Sequence, residues 1–274
     1  MSLSLLWGLS ACQPLQPVDP IAAEQSPTPV GTLVVLQTVE VQSFIPTAIP
    51  KTATIQPVSS ISPNTASPTK TGLSLDEKII CSPLLHETIV SIAEIIGDPY
   101  NPPPPGRDER HHGVDFSYYH HGDRDTIEGE GVQAILAGTV AALVNDRLPY
   151  GNMVIIETPA SLLPSDLVAY LKMEEEESLY HLYAHMESAP LVRVGDAVEC
   201  GSALGKVGMT GYNIVNPHLH LETRIGPAGV TFSGMAFYTT SATTEEMENY
   251  QRWRTSGDFS HFDPMNLFAW FLDH

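Results

Sequence analysis

Apolar residues recur along the C-terminal two thirds of the chain with two different periods, and the change of period marks out the elements. After Ser82-Pro83, Leu85, Ile89, Ile92 and Ile96 recur at helical spacing and Gly97 follows, so a helix is expected here, capped by Ser82 with Pro83 in its first turn. The four prolines at 102–105 then force extended chain. From Val114 to Arg224 the pattern becomes short β-branched runs broken by Gly, at 134–144, 153–157, 179–185, 197–200, 203–207 and 218–224. Such runs predict strands. Helical signals return in the tail, where Thr243 with Glu246 forms one cap signature and Asp263-Pro264 begins a second helix. The expected class is mostly β, with antiparallel sheets and short peripheral helices.

Ahead of this patterned region the composition shifts. Between residues 13 and 75, ten prolines are interleaved with Ser, Thr and Gln and with only five charged residues. A segment of this kind cannot bury enough apolar surface to offset its ordering entropy, so it is read as an extended, disordered tether. The remaining residues, 76–274, suffice for one domain. At the start, a short apolar run ends in Leu9-Ser10-Ala11-Cys12, which resembles the lipobox of bacterial lipoprotein signal peptides. Residues 1–12 are therefore expected to be an export signal, with lipid on Cys12 as a membrane anchor. The run is short and carries no Lys or Arg ahead of it, so an ordinary export signal or a frayed apolar terminus is the competing reading.

Charge narrows the functional classes. The 274 residues carry 32 acidic against 13 basic side chains, a formal net charge of -19, with no basic run. A phosphate-binding face needs clustered Lys and Arg, so nucleic acid is excluded as a partner. With 42% hydrophobic residues the chain is not disordered as a whole, and no apolar stretch is long enough for a membrane-spanning helix. Cys12, Cys81 and Cys200 are too few and too scattered for a disulfide scaffold or a Cys-based zinc site.

Eleven histidines are a surplus, and strand parity suggests which of them converge. In His111-His112-Gly113-Val114-Asp115 the first His, the Gly and the Asp share a face, so a His and a carboxylate can meet one ion with Gly113 leaving room between them. In Pro217-His218-Leu219-His220-Leu221-Glu222 the two histidines share a face and the leucines take the other. His185, in Tyr183-Ala184-His185, is the third candidate. Each signal alone is weak. His181 and His185 are four apart like the helical zinc motif, but Leu182 stands where that motif needs Glu.

Taken in order, His-x-Gly-x-Asp at 111–115, Tyr-Ala-His at 183–185, Val194-Gly195-Asp196-Ala197-Val198, the glycines 201, 205, 208 and 211, and Pro-His-Leu-His-Leu-Glu at 217–222 resemble the lysostaphin-type (LytM-like) zinc endopeptidases. These cut the peptides of bacterial peptidoglycan. The resemblance covers about residues 107–225 and implies their fold, a zinc cofactor held by His111, Asp115 and His220, and catalytic roles for His185 and His218. We read His218 as the general base and His185 as a donor to the oxyanion, a division of roles that the sequence alone does not apportion, and Glu222 as an orienting partner of a ligand ring. Two imidazoles and a carboxylate leave a fourth tetrahedral position open, as a catalytic zinc requires.

The sequence departs from the family pattern at 212–216, a loop one residue longer than usual with Asn216 at the customary Gly, and in added residues between Asp115 and Gly138 and from Pro159 to Ser178. Glu174–Glu177 reads as a solvated acidic face. His112 competes with His111 for the metal, and parity with Asp115 favours His111. His86, His120, His121, His261 and His274 read as surface or packing residues, Tyr183 as core or cleft, and Cys81 with Cys200 as either a disulfide or two isolated thiols. Peptidoglycan peptides are the expected substrate. A non-catalytic wall-binding or hydrolase-activating module of the same fold, and a structural envelope lipoprotein, are the alternatives.

Overall fold

The computed structural model describes residues 79–274; the signal expected at 1–12, the lipid on Cys12 and the tether at 13–75 lie outside the described residues. In chain order the strands are β1 (Ile96–Asp98), β2 (Val114–Phe116), β3 (Gly131–Gln133), β4 (Gly138–Arg147), β5 (Gly151–Pro159), β6 (Glu177–Met186), β7 (Ala197–Val198), β8 (Ala203–Lys206), β9 (Leu219–Pro227) and β10 (Ser260–Phe262). The helices are α1 (Ser165–Leu171), α2 (Thr244–Arg254) and α3 (Met265–Asp273). One antiparallel sheet has the order β1-β2-β9-β6-β5-β4-β7, with β10 also pairing to β9, and β3 and β8 form a separate pair. The fold is mostly β with short helices, as the runs of β-branched residues predict.

The central strands are apolar on both faces because both faces are covered. On β5, Val154 and Ile156 enter one core with Val114, Phe116, Tyr183 and Leu221, while Met153 and Ile155 enter a second with Tyr180, Leu182 and Phe232. Helix α3 closes the first core through Leu267, Phe268 and Trp270, and α2 closes the second through Tyr250 and Trp253. Each such side chain, fully buried, stabilises the fold by roughly 1.5–3 kcal/mol. The sheet is thus clamped from both sides and gives a stiff base to whatever stands at its edge.

The helix expected after Ser82 does not form. The segment instead turns, makes a short 3-10 helix at Ile92–Ile95 and enters β1. Thr88 and Ser91 bond each other's backbone N–H with their hydroxyls, which competes with helical bonding. Farther back, Cys81 N–H donates to Ile135 O and Leu85 N–H to Gly131 O, so tertiary pairing holds this stretch extended. A disulfide between Cys81 and Cys200 ties it down. The capping box of α2 is present as read from Thr243 and Glu246, whereas α1, inside the added residues 159–178, has no side-chain cap to announce it.

Candidate active site

Strand register brings the first two groups together. In the β2–β9 pair, Asp115 lies directly opposite His220, with Val114 facing Leu221 and Phe116 facing Leu219 on the core side. Asp115 Oδ1 is 2.7 Å from His220 Nδ1 and 3.0 Å from His111 Nε2, and the two ring nitrogens are 3.1 Å apart. Gly113 makes this approach feasible, since a Cβ there would sit 2.3 Å from Leu221 O and 3.0 Å from His220 Cε1. The far side of each ring fixes its tautomer. His111 Nδ1 donates to Pro99 O at 3.0 Å, and His220 Nε2 donates to the Glu222 carboxylate at 3.1 Å. In neutral rings both inward nitrogens are therefore lone pairs facing each other and a carboxylate, a set that only a shared proton or a cation can satisfy. Tetrahedral zinc donors lie about 3.3 Å apart at the usual bond lengths, so the residues present fit a divalent cation. Burial alone would lower the His220 pKa, but the bonds to Asp115 and Glu222 outweigh it and raise it to about 9. Asp115 would likewise be raised by burial, and is instead held far below the carboxylate range by His111 and His220.

Two further imidazoles stand beside this triad. Between Asn152 and Val154 the β5–β6 register shifts, so that two residues of β6 oppose one of β5, and the bulge carries His185 in left-handed backbone at φ +62°. Its Nδ1 donates to Thr210 O at 2.8 Å. Gly211 is needed beside it, because a Cβ there would meet Pro149 O at 2.5 Å. His218 Nδ1 donates to Asn216 O at 2.9 Å and its Nε2 lies 3.6 Å from Asp115 Oδ2. The bond uses the Asn216 backbone, so the side chain that replaces the customary Gly does not enter it. The His185 ring is 4.8 Å from that of His218 and 5.7 Å from that of His220. Burial, then the charges of His220 and His218, lower its pKa to about 3. All five predicted site residues thus line one open cleft of ≈ 610 Å³.

The family model of peptidase family M23 matches residues 109–231, which hold all five. These residues belong to peptidase family M23. Among solved structures, the chain is similar to a mutant catalytic domain of the prophage-encoded M23 protein EnpA from Enterococcus faecalis, at 21% identity over 49% of this chain and 82% of that one, with a TM-score of 0.34. It is also similar to the catalytic domain of lysostaphin from Staphylococcus simulans, at 21% identity over 66% of this chain and 98% of that one, TM-score 0.37. A zinc-containing peptidase from Vibrio cholerae matches at 24% identity and TM-score 0.32 over 47% of this chain, which spans only 32% of that protein. Comparison with curated proteins yields no match.

The triad is braced by residues from inside the matched segment, Tyr150, Glu222 and Arg224, and from outside it, Asp108, Trp253 and Arg254. Glu222, fully buried, accepts from Tyr150 Oη at 2.7 Å, His220 Nε2 at 3.1 Å and Arg254 Nη1 at 3.0 Å on one oxygen. Its other oxygen accepts from Arg224 Nε and Nη2 at 3.0 and 2.8 Å and from Trp253 Nε1 at 3.0 Å. Burial would raise the Glu222 pKa, but Arg224, His220 and Arg254 hold it well below the usual carboxylate range. Arg254 also donates to Asp108 at 2.6 Å, which accepts from Tyr238 and Tyr250 as well. Sequence reasoning missed Asp108, Tyr150, Tyr238, Tyr250, Trp253 and Arg254; no local spacing announces contacts between residues 31 to 146 apart.

The other histidines take no part in the triad. His112 faces away from it, fully buried, and accepts from Arg224 Nη2 at 2.9 Å, with burial and then Arg254 lowering its pKa to about 3. His181 bonds Thr158 and Tyr183 inside the core, which also places Tyr183 in the core. His86 pairs with Glu130, His120 with Asp125, His121 with Glu87, His261 with Tyr100, and His274 caps the Trp270 carbonyl. Glu174, Glu175 and Glu176 are exposed, as a solvated acidic face should be.

Proposed function

We propose that the protein is a zinc-dependent endopeptidase that hydrolyses peptide bonds of peptidoglycan at the bacterial cell envelope. The observation that carries this reading is the triad: two imidazoles, each held from behind by an acceptor, and a carboxylate between them, with a cleft and two more imidazoles in front. Three protein ligands with an open fourth side mark a catalytic rather than a closed zinc site. His111, Asp115 and His220 would hold the zinc, which when bound would supply Lewis acidity toward the scissile carbonyl and lower the pKa of water towards about 7.

The remaining steps fall to the chain itself. His218 has its Nδ1–H committed to Asn216 O, so Nε2 is the acceptor that takes the proton of the attacking water and returns it to the leaving amine. His185 also has its Nδ1–H committed, to Thr210 O, so its resting Nε2 is an acceptor too. As a donor to the oxyanion it would take a second proton from solvent onto Nε2, an uptake that its lowered pKa opposes and the negative charge of the oxyanion favours. Glu222 holds the His220 ring in the ligating tautomer.

The extracytoplasmic location, with a lipid on Cys12 anchoring the membrane end of a Pro/Thr-rich tether, belongs to the same proposal. The Cys81–Cys200 disulfide supports it, because such bonds persist in oxidising compartments outside the cytoplasm. Digestion of purified peptidoglycan by the zinc-loaded protein, with mass analysis of released muropeptides, is the test. Products shorter by a hydrolysed peptide bond are expected. A protein that binds zinc and wall but releases nothing would be the binding module instead.

A further inference from the structure

The cleft carries one cation that the fold does not use. Two arginines line it, Arg110 and Arg254. Arg254 is nearly buried and fully engaged by Asp108, Glu222 and Tyr150. Arg110 is exposed and, among the described residues, its guanidinium makes no hydrogen bond or ion pair, although Asp98 and Asp108 line the same cleft. Its backbone is fixed: it immediately precedes the ligand His111, whose N–H and C=O both pair with Asn101, at 3.2 and 3.0 Å. It is also held at φ +76°, a left-handed conformation that costs a non-glycine residue roughly 1–2 kcal/mol. A long cationic side chain is thus kept in strained backbone next to the metal triad, with no structural partner to explain it.

Electrostatics says what it would meet. The chain has a net charge of -19, and with Asp108 paired to Arg254 and Asp115 committed to the metal, the exposed Asp98 still lines the cleft beside Arg110, so an anionic peptide is disfavoured there unless a cation receives it. A guanidinium binds a carboxylate through two parallel N–H···O bonds, which a lysine cannot reproduce. We infer that Arg110 binds a free carboxylate of the peptide substrate close to the scissile bond, and so selects acid over amidated stem peptides; the inference rests on the hydrolase reading above. The carboxylate has two sources, the C-terminus of the stem peptide or the free carboxyl of its glutamate.

The test uses the zinc-loaded full chain and soluble muropeptides in three forms: free acid, C-terminal amide, and amide at the glutamate carboxyl. KM and kcat are measured separately for the parent, Arg110→Gln, Arg110→Lys and, as a charge control on an exposed residue away from the cleft, Arg193→Gln. Arg110→Gln should raise KM on the free acid by roughly 10- to 100-fold, the scale of one charge-assisted pair, while kcat stays within about threefold. Amidation of the recognised carboxylate should cost the parent the same factor and cost Arg110→Gln nothing further; which amide does so identifies the source. Arg110→Lys should recover part of the loss and Arg193→Gln should match the parent. Equal KM for the parent and Arg110→Gln, or an equal loss on all three forms, overturns the inference. If the parent turns over none of them, the hydrolase reading fails separately. Calorimetric binding of the same acid and amide peptides then decides on Arg110, and equal affinities overturn its role.

Discussion

Glu222→Gln tests whether the buried carboxylate behind the triad is a stabilising hub. The substitution keeps the shape and removes the charge. Each Glu222 oxygen accepts three bonds, so whichever way the amide is turned, its NH2 group meets three donors: Tyr150, His220 and Arg254 on one side, or Arg224 and Trp253 on the other. Arg224 is fully buried and Arg254 nearly so, and both lose their anion. Removing one partner of a buried ion pair costs about 3–5 kcal/mol, because the remaining charge is left without compensation. We expect urea unfolding, followed by circular dichroism, to show a loss of that size at unchanged m. Zinc affinity, measured by chelator competition, should fall about 10- to 100-fold as His220 loses the acceptor that orients it. A variant within about 1 kcal/mol of the parent would refute the hub. A destabilised variant with the parent's zinc affinity would leave the hub standing and refute its link to the ligand.

The ligand and catalytic groups should separate by metal content: His111→Ala, Asp115→Ala and His220→Ala lose zinc, whereas His185→Ala and His218→Ala retain about one zinc per chain and lose about 100-fold or more in rate. Atomic absorption on purified protein checks this, and a zinc-free His218→Ala would break the division. Acid stability should depend on His181, which burial holds neutral with a pKa of about 3. The unfolded chain binds a proton below about pH 6.5 that the folded state refuses, so this contribution is complete above pH 6.5 and is lost between 6.5 and 3, amounting to roughly 2 kcal/mol by pH 5. His181→Gln should flatten the dependence of unfolding free energy on pH over that window, and an unaltered slope would show that other groups dominate.

How much of this was legible in the sequence depends on whether the controlling contact is local. Strand parity placed Leu219 and Leu221 in the core and left His220 for the site, and register then set it opposite Asp115. The Thr243 and Glu246 cap was readable for the same reason, since both partners lie within one turn. Parity could not distinguish His185 from His181, which share a strand face by counting. The bulge between them turns one into the cleft and leaves the other bonded to Thr158 and Tyr183. The stretch after Ser82 kept its helical spacing yet was claimed by pairing with residues 131–135, a contact no local period reveals.

Helix α2 shows the same limit from the functional side. Its start follows from the chain, through the capping box of Thr243 and Glu246, and it reads as a peripheral element. Its buried face, however, delivers Tyr250, Trp253 and Arg254 to Asp108 and Glu222, so a helix beyond the M23 match sets the charge state behind His220. The family segment holds His111, Asp115, His220 and Glu222, and helix α2 adds Trp253 and Arg254 to the donors that fix Glu222 behind His220. It also consumes the second arginine of the cleft, which is why Arg110 alone is left to meet a substrate there.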